Sequence, residues 1–377
     1  MLIFGIIVGL VVLVALVVVH ELGHAIVARR NGVVVEEFGI GFPPRAWKKK
    51  LKNGVLLTLN WLPLGGFVKL QGEHDSAKKK GDYGAATFWV KTKILFAGVV
   101  MNWAMAVILL TIVSLVGLPK LIPNQFSVAS DATVVRAPVT LGSLESGYPA
   151  EKSGLQAGDE VTAVSGEPVS TVEHFIELTR QNRGQDITVD YTRAGETKSV
   201  EVSLRDTETA VFGATLLQSE SIRSTWSAPL VGVVTTAQYT WATMQGIWQL
   251  GSDFFAGLFG QLSTDQAVRD QAKDQLDRAG ASVAGPVGIL GVIFPAASEA
   301  GPIQVIFLAA IVSLTLAVMN ALPIPALDGG RWFVTMLFRL LKKPLSKSRE
   351  ENIHGTGFLL LMVLIVLVTI ADVTKLL

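Results

Sequence analysis

The chain's strongest chemical signal is a pair of histidines four residues apart, His20-Glu21-Leu22-Gly23-His24. On a helix that step turns about 40°, so both imidazoles can face one point from successive turns. Glu21 stands beside them, where a carboxylate can take a proton from an activated water. Two imidazoles and a water-activating carboxylate suit Zn²⁺, whose catalytic sites use three protein ligands and keep a fourth position open. The sequence contains no cysteine, so a third ligand must come from His, Asp or Glu.

Asp328 is the expected third ligand. It follows Asn320-Ala321-Leu322-Pro323-Ile324-Pro325-Ala326-Leu327 and precedes Gly329-Gly330. Pro323 and Pro325 interrupt helical hydrogen bonding, so the backbone must unwind there. Unwound backbone at membrane depth is tolerated where it lines a protein cavity. The alternative reading makes the segment a plain terminus, with Asp328 capping the next helix. His74, His174 and His354 lack comparable surroundings and read as surface or structural groups.

The elements that must position these residues are membrane spans. Half of the 377 residues are hydrophobic, and a net charge of +1 gives no reason to expect nucleic acid as a partner. Leu2–Val19 is an uncharged run that continues into His20-Glu21 without a basic start or a small-residue cleavage site, so it reads as a retained span. Further runs cover about 94–118, 302–322 and 357–370. Ala25-Ile26-Val27-Ala28 keeps the His-Glu pair inside the first apolar helix, where ionisable groups are costly and mark function.

Lys and Arg orient the spans. Residues 29–93 hold 13 of them and residues 331–349 hold six, against 12 in the whole of 119–301. By the positive-inside rule the two basic segments are cytoplasmic and the long segment lies outside. With four spans, His24 and Asp328 reach the same cytoplasmic side. One extra span would separate them, whereas two would keep them together. Ser227–Gly260 reads as an amphipathic helix on the outer membrane surface, anchored by Trp241 and Trp248. Val283–Ala297 is apolar but short and broken by prolines.

Ala129–Arg205 carries a small-residue helix (Pro149–Gly154), a Gly158-Asp159 turn and a strand at 161–164 with a turn at Gly166-Glu167. A helix at 172–183 and two alternating strands at 186–192 and 197–204, joined at Ala194-Gly195, complete it. This run resembles a PDZ domain with the strand order usual in bacterial proteases. The resemblance implies that it receives an extended chain, with Leu141-Gly142-Ser143-Leu144 as the expected binding loop.

The His-Glu-Leu-Gly-His pattern, Asn320 through Gly330, Pro63-Leu64-Gly65-Gly66-Phe67-Val68, Ala97-Gly98 through Asn102 and Gly285-Pro286-Val287 together resemble the site-2 protease family, closest to its bacterial RseP-like branch. That resemblance spans nearly the whole chain. It implies His20, His24 and Asp328 as zinc ligands and Glu21 as general base. Asn320 and Asn102 match positions linked to substrate handling or site geometry, and Gly65, Gly66 and Phe67 lie in an implied membrane-associated β-hairpin. Members cleave single-pass membrane proteins, typically anti-sigma factors or signal-peptide remnants, within or beside their transmembrane helix. Two departures stand out: a single PDZ-like domain, and Val99 where relatives often carry proline.

The expected architecture is therefore a polytopic α-helical membrane protein of about four transmembrane helices, with an inserted extracytoplasmic PDZ-like α+β domain and a cytoplasmic membrane-associated β-hairpin. Its expected segments are a first span (1–28), a cytoplasmic region with the hairpin (29–92), a second span (93–118) and the PDZ-like domain (129–205). An outer amphipathic helix (226–262), a linker with a short apolar segment (263–301), a third span (302–330), a cytoplasmic loop (331–355) and a fourth span (356–376) follow. Val55–Leu70 alternates like a strand, able either to hold an extended substrate or only to pack the site. The expected setting is a bacterial inner membrane, with the site on the cytoplasmic side, Zn²⁺ as cofactor, and membrane lipid and single-pass proteins as partners. The PDZ-like domain is expected to contact substrate or a regulator. A metal-dependent transporter would instead call for inverted repeats and a polar path, and a non-catalytic adaptor would tolerate loss of Glu21.

Overall fold

The computed structural model describes residues 2–207, 209–281 and 283–376. The chain divides into two compact units, one formed by residues 1–113 with 229–377 and the other by 114–228. In chain order the first elements are α1 (Leu2–Arg30), β1 (Val35–Lys50), β2 (Leu56–Leu70) and α2 (Phe88–Val116). The second unit carries β3 (Leu118–Pro119), β4 (Thr133–Arg136), β5 (Val139–Leu144), α3 (Pro149–Lys152), β6 (Glu160–Val164), β7 (Glu167–Pro168) and α4 (Val172–Gln181). Strands β8 (Asp186–Arg193), β9 (Glu196–Ser203), β10 (Ala214–Leu217) and β11 (Glu220–Arg223) complete it. The chain continues through α5 (Ala228–Gly260), α6 (Gln266–Ala281), α7 (Pro286–Gly288), a π-helical turn (Ile289–Ile293) and α8 (Phe294–Ala300). Helices α9 (Pro302–Ala321), α10 (Asp328–Leu340) and α11 (Lys347–Leu376) end it.

Four helices, α1, α2, α9 and most of α11, are long and apolar enough to cross a membrane. Their outer faces are apolar as well: Ile3, Phe4 and Ile7 of α1 and Phe358 through Leu360 of α11 are exposed, as lipid-facing side chains would be. Helix α1 stops where Arg29 and Arg30 favour the negative end of the helix dipole and Gly32 turns with φ +79°. Helix α5 forms as expected from the sequence, with Trp241 and Trp248 exposed.

Three expected boundaries change. The third span was expected to run to residue 330, but α9 ends at Ala321, because Pro323 and Pro325 bar the helix, and Asp328 opens α10. The cytoplasmic loop expected over 331–355 is mostly helix. Counting its Lys and Arg hid the helix that starts at Asp328, whose Gly329, Gly330, Val334 and Thr335 are buried. The expected linker over 263–301 is helical too. Helix α6 is built from strong helix formers such as Ala, Gln, Lys and Arg, and α7 to α8 form an apolar helix that Pro286 opens and whose π-helical turn at Ile289–Ile293 comes just before Pro295.

The strand expected at 55–70 is β2, and its partner is β1. Residues 35–40 pair antiparallel with 66–70 and also lie beside 56–59, which pair in turn with 45–50. Segment 66–70 is thus one edge of the sheet. The sheet, α1 and α2 share a core of Ala25, Ala28, Val35, Phe38, Leu70 and Ile94.

In the second unit the main sheet runs β10-β5-β6-β8-β9, with β7 paired to β6, and β3-β11-β4 form a small second sheet. Ser165-Gly166 and Ala194-Gly195 all have positive φ, the pattern of tight hairpin turns that match strand twist. Phe175, Leu178, Val189, Val202 and Phe212 fill its core. Asp159 is 1% exposed. Burial opposes its ionisation, yet two 2.6 Å bonds from the Arg193 guanidinium and one from the Gln156 N–H hold its carboxyl below the usual carboxylate range.

The binding loop expected at Leu141–Leu144 is not free. It lies in β5, which pairs with β10 along one edge and β6 along the other. Beside it β10 forms one edge of the sheet. A groove of about 450 Å³ runs between it and α4, lined by Val172, Ile176, Arg180, Phe212, Gly213 and Leu216. An apolar residue followed by glycine occurs at both Leu141-Gly142 and Phe212-Gly213.

Candidate metal centre

Helix α1 carries His20 and His24 to one point, and the start of α10 brings Asp328 there. Nε2 of His20 lies 3.0 Å from Asp328 Oδ2, Nε2 of His24 lies 3.2 Å from it, and the two Nε2 atoms are 3.1 Å apart. Ligands about 2.0–2.1 Å from a tetrahedral zinc sit roughly 3.3 Å from each other. The triangle is close to one face of that tetrahedron.

The second nitrogen of each ring decides its chemistry. His24 Nδ1 donates to the carbonyl of Ile94 at 2.7 Å. Asn102 Nδ2 lies 3.3 Å from His20 Nδ1 while its Oδ1 has no partner among the described residues, and exchanging the two amide positions lets Oδ1 accept from Nδ1–H. Asn102 is fully buried, and Ser313 of α9 donates to its backbone carbonyl at 2.9 Å. With both Nδ1 atoms protonated, two imidazole lone pairs and a carboxylate oxygen converge on one buried point. Without a cation these would repel. The donor set therefore fits Zn²⁺, and its outer partners fix the tautomers a zinc ligand needs.

Helices α1 and α2 approach closely through small residues. A Cβ on Gly23 would lie 2.5 Å from the Ala97 carbonyl oxygen, and one on Gly98 would fall 2.5 Å from His24 Nε2 and 2.6 Å from His20 Nε2. Ile94, Gly98 and Asn102 are spaced by four residues and form one face of α2. That spacing was readable in the sequence. Gly98 and the Ile94 carbonyl were nevertheless missed as parts of the site, because neither has a reactive side chain.

Glu21 lies one residue from the first ligand. The Val68 N–H reaches its carboxyl from the edge segment 66–70, and a Cβ on Gly66 would lie 3.6 Å from Glu21 Cγ. Gly66 is thus adjacent to the site. Gly65 (φ +85°) packs instead under the Phe42 ring, and Phe67 packs on Gly39. Asn320 turns back on its own helix, donating to the Leu316 carbonyl at 3.0 Å. His74 and His174 stand beside Glu351 and Glu167, at 3.6 and 3.1 Å. His354, expected ahead of the fourth span, lies within α11.

Residues 8–364 match the profile of peptidase family M50. A zinc metalloprotease described as putative, from Clostridium perfringens, is 32% identical over 95% of this chain and 95% of its own length. The zinc metalloprotease RasP of Geobacillus kaustophilus is 26% identical over 97% of both chains. The regulator of sigma-W protease RasP of Bacillus subtilis is 23% identical over 96% of both. Among solved structures, the PDZ domain of an SdrC-like protein from Listeria monocytogenes aligns at 21% identity over 24% of this chain and 94% of that one, with a TM-score of 0.20.

Proposed function

Because the chain belongs to peptidase family M50, the site-2 protease family of zinc metalloproteases, we propose that it hydrolyses peptide bonds within or beside the transmembrane segment of single-pass membrane proteins. The observation that carries this reading is the meeting of three metal donors, a carboxylate and a free sheet edge at the ends of apolar helices.

In this reading His20, His24 and Asp328 hold the zinc. A zinc ion held there would supply Lewis-acid chemistry, polarising the scissile carbonyl and lowering the pKa of water. Glu21 accepts that proton and returns it to the leaving amine. Its place beside the metal donors and the Val68 N–H keeps the carboxylate aimed at one point. Asn102 and the Ile94 carbonyl hold the ligand rings.

A transmembrane helix hides its peptide bonds in its own hydrogen bonds. Segment 66–70 offers an unwound stretch a sheet edge next to Glu21, exchanging internal hydrogen bonds for strand pairing. The basic segments support an inner-membrane protein with the site toward the cytoplasm and residues 129–205 outside. The groove between α4 and β10 suits an extended segment of substrate or regulator. The name of the Bacillus subtilis relative points to a membrane-anchored regulator of a sigma factor as the kind of substrate to try first.

The test is Glu21→Gln in the full chain, reconstituted in lipid with a single-pass substrate. Zinc content should stay at the wild-type level while cleavage falls about 10²–10⁴-fold, the usual contribution of a general base. Cleavage at the wild-type rate would overturn the mechanism.

A further inference from the structure

The loop that delivers Asp328 is poor in hydrogen-bond donors. Between α9 and α10 it reads Leu322-Pro323-Ile324-Pro325-Ala326-Leu327, and its prolines have no N–H. The Ile324 N–H donates to the Leu322 carbonyl at 2.8 Å, and the Leu327 N–H to the Ile324 carbonyl at 3.1 Å. Among the described residues, the one donor over 323–327 that leaves the loop is the Ala326 N–H, which reaches Nδ1 of His354 on α11 at 3.3 Å. Ala326 has φ +85°, a conformation that is strained for a non-glycine residue and persists only where its surroundings impose it.

A second contact comes from the same face of α11. Gly357, three residues beyond His354, packs so closely that a Cβ there would lie 2.5 Å from both Cβ and the carbonyl oxygen of Pro325. Because Nδ1 of His354 accepts, the ring is neutral and carries its proton on Nε2, which is buried without a partner among the described residues.

We propose that His354 is a positioning residue for Asp328: by accepting the Ala326 N–H it fixes the strained turn two residues before the carboxylate, so that α11 shapes the metal centre without supplying a ligand. The proposal rests on the reading of Asp328 as a zinc ligand.

The experiment uses the full chain in lipid nanodiscs with His354→Ala, His354→Asn, Gly357→Ala and Asp328→Ala. Zinc affinity is measured by chelator competition and the ligand field by the visible absorption of the Co²⁺-loaded protein. His354→Ala should weaken zinc binding about 10–100-fold, as loss of an outer partner typically does, and shift the Co²⁺ bands. kcat should fall with KM nearly unchanged. His354→Asn should restore both signals, since its Oδ1 can accept the same N–H. Gly357→Ala should shift the Co²⁺ bands in the same way, which keeps the proposal testable if His354→Ala fails to fold. Wild-type affinity and Co²⁺ bands in His354→Ala, or equal impairment of the Ala and Asn variants, would overturn it. If Asp328→Ala binds zinc as the wild type does, the ligand reading itself fails and takes this proposal with it. Loss of binding in Asp328→Ala with a silent His354→Ala sinks the positioning role alone.

Discussion

Gly98 faces His24 across the contact between α1 and α2 so closely that a methyl group on its Cα would lie 2.5 Å from Nε2 of His24. That methyl would occupy the space a metal needs. Alanine is also the better helix former by about 0.5–1 kcal/mol. Gly98→Ala should therefore leave a folded helix while lowering zinc affinity at least about 100-fold. Metal analysis of the purified variant, beside its circular dichroism, checks this. Full zinc occupancy would show that the helices can move apart.

Asn102→Ala should weaken zinc binding about 10–100-fold while leaving the Ser313 bond, which is made to the backbone of residue 102. His20 would then be free to take the wrong tautomer. Competition with a chelator across pH measures the loss. Equal affinity in variant and wild type would remove Asn102 from the centre.

That His20, His24 and Asp328 would come together was legible because helix periodicity and proline placement act locally. Four residues between His20 and His24 fix a shared face whatever the rest of the chain does, and two prolines had to end the third span. The strand at 56–70 was legible for the same reason, but its partner 35–50 was not. Register in a sheet depends on which distant segment arrives, and the Lys48-Lys49-Lys50 run obscured the alternation. The binding loop at 141–144 was misplaced for a related reason. Whether an apolar-glycine stretch is an open edge or an inner strand is decided by pairing between segments about 70 residues apart, such as Leu144 with Ala214. The roles of Gly98 and the Ile94 carbonyl lie in backbone and empty space, which side-chain chemistry cannot announce.

Val68→Pro should remove the N–H that reaches Glu21 and interrupt the free edge at 66–70. A lost bond to a charged group costs about 1.5–3 kcal/mol, so cleavage should fall roughly 10–100-fold with zinc content unchanged. Quantitative cleavage of a single-pass substrate with matched metal analysis tests it. Undiminished cleavage would argue that the edge does not serve the reaction.

In residues 114–228 the bond from Arg193 holds the Asp159 carboxyl below its ordinary range. A depressed carboxylate stabilises the fold above its unfolded value, about pH 3.9, and that contribution is lost as pH falls through the lower folded value. Arg193→Gln should thus destabilise this unit at neutral pH and flatten the acid limb of the stability profile. Limited proteolysis of this unit as a function of pH reports both. An unchanged acid limb would assign the pH dependence elsewhere.

Asp372 on α11 accepts the N–H groups of Gly285 and Gly288, at 3.1 and 2.7 Å, at the start of the helix formed by 286–300. Asp372→Ala should destabilise the folded protein by about 1–2 kcal/mol, the worth of a helix cap, without changing metal content. Thermal unfolding in detergent gives the number. A loss of zinc instead would tie this distant cap to the centre.

His20 and Asp328 are separated by 308 positions along the chain. During synthesis the first imidazole enters the bilayer long before the carboxylate exists. The centre can close only after nearly the whole polypeptide has been made and its later helices have docked. A chain broken off before residue 328 therefore lacks one of the three donors that meet in the folded protein.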